Sequence, residues 1–155
     1  IAYFVYWNPY KLPHWRYSPI DPYGNKTKVY YEIVKLNEWI KKIDEYFTES
    51  ELVGLIPAGK TANAEEIRKD DVIKSFSPLS SVSGDSVLAG CFAGKSGEKI
   101  LFAVNNRFDK ESELSLSFEK EVDLSVVCRE KEYAVTDKRF RTALGKGEGI
   151  VIIVK

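Results

Sequence analysis

The chain has 155 residues, 44% of them apolar and 30% charged, with 23 acidic and 23 basic side chains. That length holds one good domain or a small domain plus an appendage, at the ordinary composition of a globular protein. The charge balance leaves no basic excess for nucleic-acid phosphates or an anionic membrane surface, and no apolar run approaches the roughly 20 residues that span a bilayer.

Residues 1–6, IAYFVY, are apolar without alternation. That is the pattern of a strand buried on both faces, as in a parallel sheet covered by helices. Such a strand needs neighbours. The chain contains no Met, and residues 1–6 lack the basic stretch and the length of a signal peptide. A sequence that opens in mid-strand without Met reads as a fragment or a processed piece. The alternative is a mature protein cut just before its first strand.

Residues 7–26 carry Pro9, Pro13, Pro19, Pro22 and Gly24, which exclude helix by ring clash and missing N–H groups. A loop this long is usually functional or disordered, and its rings (Trp7, Tyr10, Trp15 and Tyr17) argue against disorder. Residues 27–47 predict an amphipathic helix. Val29, Ile33, Leu36, Ile40, Ile43 and Phe47 recur at steps of four and three as one apolar stripe, with Thr27 placed as N-cap.

From residue 51 the period changes to two. ELVGLIPAG (51–59) reads as a strand, and 60–85 are polar and irregular. Strands are then expected over 86–93, 99–105, 113–118, 122–129, 139–143 and 149–154, with KSG (95–97) as a hairpin turn. SELSLSF (112–118) alternates as a strand with one solvent face should. Short strands at this spacing predict a small antiparallel sandwich. Cys91 and Cys128 lie far apart in strand-like runs; buried free thiols suit that placement, and spacing alone leaves a disulfide open. Unpaired cysteines lean toward a reducing compartment.

The order of these parts resembles the C-terminal end of a (β/α)8-barrel glycoside hydrolase of the β-galactosidase-like type with its C-terminal β-sandwich. The resemblance is carried by YFVYWNP (3–9), TKVYYEIVKLNEWI (27–40), SVLAGCFAGKSGEKILFAVNN (86–106) and LGKGEGIVIIVK (144–155). It implies an α+β chain: residues 1–50 as the last strand, loop and helix of a TIM barrel, and 51–155 as an antiparallel β-sandwich. It implies a carbohydrate substrate and, as partner, the remainder of the barrel on the same or a cleaved chain. Trp7 would then stand at the catalytic end of the last barrel strand, where an indole covers the apolar C–H face of a pyranose. Asn8 and Tyr6 would complete that wall of the sugar site. The competing role for Trp7 is a plug of the barrel top.

Glycoside hydrolysis needs two carboxylates flanking the scissile bond. Glu32, Glu38, Asp44 and Glu45 fall on the helix surface, Asp109, Glu111 and Asp123 in sandwich loops, and Asp21 between prolines as a turn former. No catalytic residue is assigned to this chain; the carboxylates are expected outside it. GKGEG (145–149) precedes a strand rather than following one, so it reads as a turn, not a phosphate loop. No Cys/His cluster has zinc spacing, and His14, the single His, has no nucleophile to serve; neither metal nor cofactor is expected. The alternative function is an independent, non-catalytic module that binds carbohydrate or protein. The amphipathic helix behind a doubly buried strand argues for the enzyme portion.

Overall fold

The computed structural model describes residues 18–60 and 67–155. The chain forms two compact units, residues 1–44 and 45–155.

In the first unit, residues 18–27 make a tight loop before helix α1 (Lys28–Thr48). Asp21 is the turn former its setting predicts. Its Oδ1 accepts the N–H groups of Tyr23 at 2.9 Å and Asn25 at 2.8 Å. The Asn25 side-chain amide, which donates to Oδ2 at 3.0 Å, and then these backbone bonds hold its carboxyl below the ordinary range. Thr27 departs from the expected cap. Its hydroxyl donates backward to the carbonyls of Ser18, 2.7 Å, and Pro19, 3.1 Å, and so ties loop to helix start. The predicted stripe is only partly covered: Ile43 is buried, whereas Leu36 is 38% exposed.

The second unit is β-rich: β1 (Ser50–Gly59), β2 (Leu79–Gly84), β3 (Ser86–Gly94), β4 (Lys99–Asn105), β5 (Ser112–Val127), β6 (Glu132–Leu144) and β7 (Gly149–Val154). They form one seven-stranded sheet in the order β1-β3-β4-β7-β5-β2, with β6 on the other edge of β5. Every ladder is antiparallel. β4 and β7 match their expected limits. The expected strands 113–118 and 122–129 are one sixteen-residue strand, β5, whose register shifts between Ser117 and Val122.

The expected architecture, a last TIM-barrel βα unit followed by a β-sandwich, is therefore corrected. The sheet curls into a nearly closed barrel of antiparallel strands. Two elements cause this. β5 pairs β6 along one edge; along the other it pairs β2 before its bend and β7 after it. β2 passes into β3 through the single residue Asp85, changing partners from β5 to β1 and β4. What would be two sandwich layers are thus joined by continuous backbone hydrogen bonds. Residues 1–6, the expected barrel strand, lie outside the described residues.

The core follows from alternation. Leu114, Leu116 and Phe118 of β5, Leu101 and Ala103 of β4, and Ile150 and Ile152 of β7 form one buried cluster. Each large apolar side chain buried this way contributes about 1.5–3 kcal/mol. On the opposite face of β3 and β4, Phe47 packs edge-on against Phe92 at 4.9 Å and Phe102 at 5.9 Å between centroids. Neither Cys91 nor Cys128 is in a disulfide. Cys91 is fully buried, and burial pushes its thiol up to about 12.

Candidate functional site

Two motifs quoted for the resemblance, VNN (104–106) and GEG (147–149), meet at one corner of the sheet. Asn105 ends β4 and is buried. Its backbone N–H donates to the carbonyl of Glu148 at 2.8 Å. Its side-chain Nδ2 donates to the carbonyls of Lys110 at 2.8 Å and Gly145 at 2.9 Å, with that of Leu144 at 3.4 Å. Its Oδ1 accepts the N–H of Arg107 at 3.2 Å. One amide thereby satisfies the β4–β5 loop and the β6–β7 turn together. Glu148 closes the turn by accepting the N–H of Gly145 on Oε2 at 2.6 Å. This is a charge-assisted bond of the stronger kind. These residues serve structure.

The loop held by this corner presents Phe108. Arg107 and Asp109 flank it and pair through two N–H···O contacts, Nε to Oδ1 at 2.7 Å and Nη2 to Oδ2. That hydrogen bonding from Arg107 holds the Asp109 carboxyl below the usual range and raises the guanidinium in turn.

Several carboxylates among the described residues have local partners. Glu32 pairs with Lys35 at 3.3 Å on the exposed helix face. Asp123 lies on strand β5 rather than in the expected loop and accepts the Thr136 hydroxyl at 2.5 Å. An open groove of about 440 Å³ is lined by Glu45, Tyr46, Glu49, Lys95, Glu98 and Ile153, among others. Its acids are engaged locally: Glu49 pairs with Lys95 at 3.1 Å, and Glu98 accepts the N–H of Ser96 at 3.1 Å. Burial raises the Tyr46 phenol, with the Glu132 and Glu45 charges adding to it. No group of three or more His, Cys, Asp or Glu among the described residues is placed to hold a metal ion. No described helix is long and apolar enough to cross a membrane.

The sequence-predicted sugar-site residues Tyr6, Trp7 and Asn8 lie outside the described residues, as do Tyr10, His14, Trp15 and Tyr17. Sequence reasoning passed over Phe108. Its signal was an aromatic set between Arg107 and Asp109 in a turn, where neither core nor strand calls for a ring. No family model, curated protein or solved structure matches this chain.

Proposed function

We propose that this chain is the C-terminal portion of a glycoside hydrolase. Its β domain is a non-catalytic brace, and Tyr6, Trp7 and Asn8 contribute to one wall of the sugar site. The catalytic carboxylates lie outside the chain. The reading rests on the motif resemblance, and one observation accords with it. The VNN and GEG motifs, about 40 residues apart, interlock through Asn105 into a single corner, so their co-occurrence has a common physical cause.

Antibodies against the β domain, used to recover the protein from its source cells, test this. The expected result is a longer polypeptide, or a complex, that hydrolyses aryl glycosides and loses turnover in the Trp7→Ala variant. Recovery of this chain alone, without hydrolysis, overturns the proposal.

A further inference from the structure

Arg139 and Arg141 lie on β6 either side of Phe140, which is buried in the core, so both leave the opposite face and are exposed. Neither forms an ion pair with a described residue, whereas Arg68 pairs with Asp71 and Arg107 with Asp109. The register sets Ser117 across from Arg139 and Ser115 across from Arg141, with Ser81 and Ser83 of β2 on their far side. Ser115 and Ser117 alternate with the buried Leu114, Leu116 and Phe118 of β5, so they share the arginines' face. Two adjacent rows result, each of serine, serine and arginine. The nearby acids are placed otherwise. Asp137 accepts the N–H of Arg139 at 2.9 Å, Glu119 accepts the Ser77 hydroxyl at 3.3 Å, and Glu113 stands across from Ala143.

β6 is also an edge. It pairs with β5 from Glu132 to Leu144 and with no other strand among the described residues. Every second residue therefore turns its N–H and C=O away from β5. An open edge of this kind accepts an extended chain as an added strand. The two arginines then select the chain. Residues two apart on an added strand share one face and stand across from Arg139 and Arg141, where opposite charges attract and like charges repel. A guanidinium fork also matches a carboxylate in shape. Charge on an edge deters indiscriminate pairing; here it turns away basic strands and admits one with acids at alternate positions.

We propose that the free edge of β6 around Arg139 and Arg141 docks an extended acidic segment of a partner protein. The segment adds as a strand and sets two carboxylates, two residues apart, against the two guanidinia. Backbone hydrogen bonds supply the affinity and the charge spacing supplies the selection. This site stands whether or not the chain belongs to a glycoside hydrolase.

Fluorescence anisotropy of the full chain with labelled peptides tests it. The probe is a short peptide of threonine, serine and valine with two glutamates at alternate positions. It is expected to bind about 3-fold or more tightly than its isomer with adjacent glutamates and than its glutamine counterpart. The double variant Arg139→Ser, Arg141→Ser should lose this preference and, both positions being exposed, melt at the wild-type temperature. The double variant Arg139→Glu, Arg141→Glu should prefer the peptide with lysines in place of the glutamates, a reversal that a misfolded chain would not give. N-methylation of the amides that would join the ladder should abolish binding. No binding of the alternating peptide, equal binding of the adjacent isomer, or binding that survives N-methylation overturns the proposal. So does binding of heparin or single-stranded DNA without binding of the peptide, which would mark a face for polyanions.

Discussion

Asn105 is a buried polar residue that joins two loops of the β domain. Its buried amide donates to carbonyls of two separate loops and accepts the Arg107 N–H. Removing it unpairs the carbonyls of Lys110 and Gly145 and the N–H of Arg107, which are partly buried, and the buried carbonyl of Leu144; a fully buried group left unpaired costs about 1–3 kcal/mol. Asn105→Ala is therefore expected to lower stability by about 2–4 kcal/mol in urea unfolding, in line with a broken buried network. Asn105→Asp should be worse, although it is nearly the same shape. A carboxylate would set an acceptor against the carbonyls of Lys110 and Gly145, where only a donor fits. An Asp variant as stable as wild type would refute this account of the corner. At this scale the sequence was readable in type but not in role: the VNN motif stood out, but nothing in it said that one amide would join loops 40 residues apart.

At the scale of elements, the β6–β7 turn and the β4–β5 loop act as one piece. Gly147 contributes twice, by a positive φ and by leaving room for the Phe108 ring. Gly147→Ala is expected to cost about 1–2 kcal/mol from the left-handed backbone alone, with the ring clash adding to it. In the Phe108→Ala background only the backbone part remains. A double-mutant cycle between the two positions should therefore show coupling of at least about 0.5 kcal/mol. Strict additivity would mean that the ring does not rest on this glycine.

The same scale shows why some elements were legible and others not. β4 and β7 are runs of Ile, Leu, Val and Ala between turn residues, and local signals bound them on both sides. β2, LSSVSG, carries almost no strand preference and went unread; its ladder to β5 makes it a strand. β5 was read as two strands because its middle, Glu119, Lys120 and Glu121, is charged and exposed. The chain bends there without ending the ladder to β6.

Across the whole β domain, Cys91 reports on closure of the sheet. It is fully buried at the centre of β3, and burial raises its thiol to about 12. A thiol raised in the folded state adds stability below its unfolded pKa. That contribution is lost as pH rises through the folded value, so alkaline conditions weaken the fold from this position. Cys91 should stay silent to Ellman's reagent at pH 8 in the native protein. It should react with the same denaturant midpoint as the loss of β-sheet circular dichroism, as expected of a cooperative unit. Labelling well before that midpoint would mean that β3 opens independently of the rest.

By itself the sequence determined the local features: the helix over most of its length, the placement of the turns, the strands with strong apolar runs, and the alternation that builds the core. These depend on neighbours a few residues away, where periodicity and turn chemistry act. Tertiary structure alone decided that the strands form one nearly closed antiparallel sheet instead of a barrel unit and a sandwich. That choice depends on the bend in β5 and the single-residue passage from β2 to β3. Both are set by which distant backbone groups complete the hydrogen bonding of each edge, and periodicity within a strand does not name its partner.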